Sequence, residues 1–209
     1  QFGGYQPVGD LIFDFGVPVA ETTFRREIRL DEGCVAARGQ RKGNIVESKA
    51  FCSYADQVMV LNYKAESASG LSGKILFAIQ RESDRIFVDG NTIRLECPIA
   101  NGMKCVAQAT VSHHGGTLVA EEKHLSLEGA EACTIILAIE TNYEMDFQKG
   151  FRGESPESRI AQRMDKVKEL SFAELQSRHL ADYGRLYKRQ GVSLGASEPW
   201  QKEMPTFKR

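Results

Sequence analysis

The feature that most constrains the fold is a change of period. From residue 10 to about residue 140 apolar and polar residues alternate in short runs broken by turn residues, the pattern of antiparallel strands. After Gly153 the apolar residues recur at helical spacing instead. About a dozen runs read as strands. The clearest are "LIFDF", "TFRREIRL", "CVAARG", "NIVESKAFCS", "QVMVLNYKAE", "GKILFAIQ", "TIRLEC", "KCVAQATVSH", "GTLVAEE", "HLSLEG" and "CTIILAIE". In "QVMVLNYKAE" Val58, Val60, Asn62 and Lys64 face one way, and Met59, Leu61, Tyr63 and Ala65 the other. Both rows begin apolar, which predicts a central strand covered on both sides. Asp89-Gly90-Asn91 between two alternating runs predicts a tight hairpin, and "SHHGGT" and "SLEGAEA" read as further connections.

The chain opens on "GGYQPVGDLIFDF", where Gly3, Gly4 and Pro7 supply turn chemistry and Leu11, Phe13 and Phe15 share one strand face. A loop and strand this early suggest the middle of a larger fold. At the other end, Ser155 reads as a helix N-cap with Pro156 at the first helical position and Ile160, Met164 and Val167 along one stripe. A second helix follows, with a capping box from Ser171 and Glu174 and a stripe of Phe172, Leu175, His179, Tyr183 and Leu186, ended by Gly191. The closing "SEPWQKEMPTFKR" holds the sole tryptophan and reads as a linker. These boundaries predict a β domain over 1–150, a helical linker over 151–195 and a tail over 196–209.

With 209 residues, 42% apolar, the chain can build a substantial core. Its 27 basic and 28 acidic residues give a net charge of −1, so there is no field to hold nucleic acid or an anionic membrane. No apolar run approaches the roughly 18 residues that span a bilayer. No basic-then-apolar leader stands at the amino end either, which leaves open a cytoplasmic chain and one whose signal is removed or not included. Cys34, Cys52, Cys97, Cys105 and Cys133 lack CxxC spacing and read as small buried apolar residues, with room for one bridge.

Few motifs carry chemistry. "HHGG", His113 to Gly116, has the form of an oxyanion loop, but without a GxSxG elbow an esterase is set aside and a strand end with a glycine turn is expected. "GLSGK", Gly70 to Lys74, is too short for a phosphate loop and reads as a turn. His113, His114, His124 and His179 have no metal-ligand spacing, and His179 on a helical stripe reads as a packed residue. Asp84 and Asp89 lack a calcium-loop register and read as turn residues, so no metal or cofactor is implied. In "FRREIRLD" the charges Arg25, Arg26, Glu27 and Arg29 form a solvated outer side over an apolar inner one of Phe24, Ile28 and Leu30. Paired carboxylates on a β scaffold serve glycosidases, which singles out Glu140, Glu144 and Asp146. With no aromatic pocket or basic partner evident around them, they read as ionised surface acids and no catalytic residue is assigned.

"YQPVGDLIFDF", "FRREIRLD", "AFCSYADQVMVLNYKAE", "LEGAEACTIILAIETNY" and "SFAELQSRHLADYGRLYKRQGVSLG" together resemble the amino-terminal β domain and helical linker of glycoside hydrolase family 95, in order from Gly4 to Gly195. That family comprises α-L-fucosidases with some α-L-galactosidases. The resemblance implies an antiparallel, galactose-mutarotase-like supersandwich, missing its first strands here, followed by two linker helices. It also implies a catalytic (α/α)6 barrel that this stretch does not include, where the family's acid, its Asn and Asp residues and its sugar-binding side chains belong. One departure is local: Ser48 and Lys49 stand where the family usually shows Arg-Glu, which puts one surface contact in doubt. The implied function is a non-catalytic domain supporting an inverting hydrolase, with fucosylated glycans and the barrel as partners and a secreted or periplasmic parent. The alternative is an independent sugar-binding module, which requires exposed aromatic residues.

Overall fold

The computed structural model describes residues 7–16, 23–41, 43–99, 102–192, 195–205 and 208. Gly3 and Gly4 of the opening loop lie outside them. Among the described residues twelve strands precede the helices: β1 (Asp10–Asp14), β2 (Arg25–Arg29), β3 (Cys34–Arg41), β4 (Asn44–Ser53), β5 (Val58–Ala65), β6 (Leu71–Ala78), β7 (Arg85–Asp89), β8 (Thr92–Pro98), β9 (Lys104–His114), β10 (Thr117–Ala120), β11 (His124–Ala130) and β12 (Ala132–Thr141). They form a four-stranded sheet, β1-β6-β11-β10, and an eight-stranded sheet, β2-β3-β4-β5-β12-β9-β8-β7. Every pairing is antiparallel. Helices α1 (Pro156–Val167) and α2 (Phe172–Tyr187) follow, and a short α3 (Pro199–Glu203) lies in the tail.

Two cores make three layers. Leu71, Ile75, Ile93, Leu95, Leu125, Leu127 and Ile135 fill the space between the sheets. Phe51, Val60, Val106 and Ile136 of the larger sheet meet Ile160, Met164, Val167 and Leu175 of the helices on its other side. Strands β5 and β12 are thus covered on both faces, and each stands inside the larger sheet. The doubly apolar "QVMVLNYKAE" predicted this placement. α1 lies over β12 and β9, and α2 over β4 and β5.

Local chemistry accounts for most boundaries. β7 and β8 join through Gly90 and Asn91, with Asp89 opposite Thr92 and Gly90 at φ +54, the first-position glycine of a tight hairpin. Ser171 accepts from the Glu174 amide while Glu174 accepts from the Ser171 amide, closing the expected box. Ser155 does cap α1 in position, but its hydroxyl turns to Glu157 instead of the helix amides.

Four expectations are corrected. Of "GLSGK" only Gly70 lies outside the sheet, because β6 begins at Leu71; Gly73 is a strand residue whose added Cβ would stand 2.3 Å from the Asp14 carbonyl oxygen. "SLEGAEA" is mostly strand, with a register shift between Leu127 and Ala130 and only Glu131 between β11 and β12. The tail is not wholly a linker, since Pro199 starts α3. The inner row of "FRREIRLD" is not buried: Ile28 is 70% and Leu30 64% exposed, because no described strand of the four-stranded sheet covers this edge.

Candidate functional site

The three carboxylates singled out by the sequence do not converge. Glu140 projects from β12 on the row of Ile136 and Ala138, towards α1. It is 9% exposed and pairs with Arg159, at 3.5 Å, and with Arg163, one helical turn further on. This corrects the expectation of a surface acid without a basic partner. Folding α1 back onto β12 supplies two guanidinium groups that are distant in sequence.

Glu144 and Asp146 instead share Lys149, at 2.9 and 3.7 Å. Asp146 also accepts from the backbone amides of Gln148 and Lys149, at 2.9 and 3.3 Å, so its carboxylate builds the loop. Glu144 packs over Gly153, where a Cβ would lie 2.6 Å from its Oε2. All three acids are thus engaged in holding structure. Glycosidases of the two-carboxylate kind flank one bond with a pair of acids, whereas here Glu140 turns to Arg159 and Arg163 and the other two to Lys149.

What these groups build is the seat of the helices. Lys104 of β9 pairs with Glu157 at the start of α1 and lies 3.4 Å from Glu96 of β8. Burial, the largest single influence on Glu157, pushes its carboxyl up, but hydrogen bonds from Lys104 and Ser155 outweigh it and hold the pKa at about 2. α2 grips two hairpin turns. Arg178 donates to Asp56 in the β4–β5 turn at 2.8 Å, and Ser53 holds the other carboxylate oxygen at 2.8 Å. The His179 ring stacks on Phe51, centroids 4.6 Å apart, while Nε2 lies 2.9 Å from the Glu32 carbonyl oxygen in the β2–β3 turn. Tyr183 donates to the Leu30 carbonyl at 2.5 Å. Gly33, at φ +59, leaves room for that ring, since a Cβ there would stand 2.8 Å from it. His179 is therefore a packed, hydrogen-bonded residue, as its stripe position implied.

The remaining motifs resolve as follows. His113 to Gly116 ends β9 and turns into β10, with His113 Nδ1 2.8 Å from the Gly115 oxygen and His114 Nδ1 3.0 Å from Glu131. His124 opens β11. Asp84 accepts from the Gln80 and Arg81 amides and from Arg81 Nε, organising a turn, and Asp89 ends β7. Cys34, Cys97, Cys105 and Cys133 are buried, whereas Cys52 is exposed, a correction that follows from its place on the uncovered side of β4. Among the described residues no three His, Cys, Asp or Glu side chains are grouped to hold a metal ion.

Two surface features escaped the sequence reading. A polar groove of about 370 Å³ lies beside the start of α2, lined by Arg25, Glu27, Arg38, Lys49, Asn62 and Lys64 with Phe172 at its rim. Its walls are the charged row of β2 continued across β3, β4 and β5, a juxtaposition that only strand register creates. The loop after β12 carries Tyr143, Phe147 and Phe151, with Phe147 83% exposed and Tyr143 and Phe151 stacked 6.2 Å apart. Phe151 stands at φ +61, a strained setting for an aromatic residue, held by the hydrogen bond that its backbone amide donates to the Asp146 carbonyl oxygen.

The family model described as "Glycosyl hydrolase family 65, N-terminal domain" matches residues 1–146. "Probable alpha-fucosidase A" of Aspergillus niger is 27% identical over 209 residues, and "Alpha-L-fucosidase 2" of Arabidopsis thaliana is 25% identical over 223. Each alignment takes in 92% of this chain and 26% of the relative, so the chain spans about a quarter of the length of either. Among solved structures, "Putative kojibiose phosphorylase from human microbiome" superposes with a TM-score of 0.53 at 13% identity, over 82% of this chain and 25% of that one. That likeness is one of fold.

Proposed function

The chain belongs to the family of glycosyl hydrolase family 65 N-terminal domains, and from that premise we propose that it is the non-catalytic β domain and helical linker of a glycoside hydrolase of family 95. The proposed parent removes terminal α-L-fucosyl or α-L-galactosyl residues, with inversion, in an (α/α)6 barrel. One observation carries the reading: 92% of the chain aligns with proteins named as α-fucosidases, yet it accounts for only 26% of them. The engaged state of Glu140, Glu144 and Asp146 supports it, as does a linker fixed to the sheet at Glu140, Asp56 and Glu32. A rigid linker gives a following barrel a defined orientation. Leu186 and Tyr187, 50% and 42% exposed at the end of α2, offer it an apolar contact. In this reading the parent acts on extracellular or periplasmic glycans.

The test assays the isolated chain beside the full-length parent on aryl α-L-fucosides and α-1,2-fucosylated oligosaccharides. Hydrolysis by the parent alone, with an inverted product by NMR, is expected. Turnover by the isolated chain that disappears in Glu144→Gln overturns the reading. The second reading, a sugar-binding module, is favoured by the exposed Tyr143, Phe147 and Phe151 rings. Saturable binding of fucosylated oligosaccharides by the isolated chain, lost in Tyr143→Ala, would select it.

A further inference from the structure

We propose that Cys97 and Cys105 are a disulfide-forming pair that staples the β8–β9 hairpin when the chain folds in an oxidising compartment. They stand directly opposite each other in the register. The other three do not: Cys34 faces Phe51, Cys52 faces Met59, and Cys133 faces Tyr63 and His113. Both members of the pair belong to the core between the sheets, at 0% and 3% exposure, so their side chains leave the same face of adjoining strands. All five cysteines are unbridged here.

The hydrogen-bond phase fixes their spacing. Ile99 N donates to Met103 O and Val111 N to Asn91 O, so in this hairpin the odd-numbered pairs are the hydrogen-bonded ones. Such pairs hold their Cα atoms about 5.5 Å apart, inside the range of roughly 4.4–6.8 Å that a disulfide accepts. The Cβ atoms must close by about 1 Å. The position allows it: the strands themselves end one step away at Pro98 and Lys104, and Ile99 with Met103 is the hydrogen-bonded pair beyond.

The reaction balances as a thiol–disulfide exchange. One cysteine, as thiolate, attacks an external disulfide such as oxidised glutathione and expels one thiol. The second thiolate then displaces the other half, so the pair loses two protons and two electrons and the external disulfide becomes two thiols. In the closed hairpin burial pushes Cys105 up to about 12, which leaves almost no thiolate. The bond therefore forms before the hairpin end closes, or when it frays. Once formed, it is shielded by the same burial.

The experiment refolds the chain in a glutathione redox buffer, unfolds it without reductant, titrates thiols and maps tryptic peptides by mass. Cleavage after Lys104 separates the two cysteines into peptides 95–104 and 105–123. The expected result is three titratable thiols out of five and those two peptides joined, lighter by two hydrogens. Reduction should then lower the melting temperature by about 5–10 °C. Cys97→Ala and Cys105→Ala should each abolish that redox-dependent shift, and Cys52→Ala should leave it intact. Five free thiols after oxidation, or a cross-link through any other pair, overturns the proposal. The wild-type thiol count and mass map decide the matter even if an alanine variant fails to fold.

Discussion

Glu140 holds two arginines of one helix, and replacing it by alanine leaves both guanidinium groups beside an apolar core. Breaking a buried pair costs about 3–5 kcal/mol, and the arginines are partly exposed, so about 2 kcal/mol is expected for Glu140→Ala by urea denaturation. Glu157 gives an acid-side signature. Its folded pKa of about 2 lies below the ordinary 4.5, so its ionised form contributes stability above pH 4.5 that fades as the pH falls towards 2. Glu157→Gln should flatten the dependence of melting temperature on pH within that window. None of this was legible residue by residue, because Arg159, Arg163 and Lys104 reach these acids through tertiary folding. His179 was legible as packed, its stripe position being a local property, while its Glu32 partner was not.

At the scale of elements the sequence spoke clearly where a local rule suffices. "NIVESKAFCS" is β4 from end to end, Pro156 starts α1, and Ser171 with Glu174 opens α2. The start of β6 was hidden because Gly73 has no side chain to show alternation, its place set by the close approach of β1. Ser171→Ala should cost about 1 kcal/mol in chemical denaturation, as loss of an N-cap does. Gly33→Ala combines a left-handed φ with a clash against Tyr183. A loss of about 1–3 kcal/mol is expected, partly restored when Tyr183 is also shortened to alanine, which a double-mutant cycle measures.

For the whole molecule, the decisive fact is that among the described residues four strands face eight. The inner side of the larger sheet is left open at one edge, where Ile28, Val35 and Met59 are 70%, 40% and 38% exposed. Native chain should therefore bind the apolar dye ANS, and Ile28→Lys should weaken that fluorescence without lowering the melting temperature. Alternation gave the approximate number of runs and which residues share a face, but not which sheet each strand joins, since that depends on pairings such as β1 with β6. The grip of α2 on the β2–β3 turn has a further consequence in time. His179 and Glu32 are 147 residues apart. At a synthesis rate of about 5–20 residues per second, the partner is made roughly 7–30 s after the turn itself. Throughout that interval the hairpin lacks its roof, and a chaperone or a strand from a neighbouring nascent chain competes for the same ground.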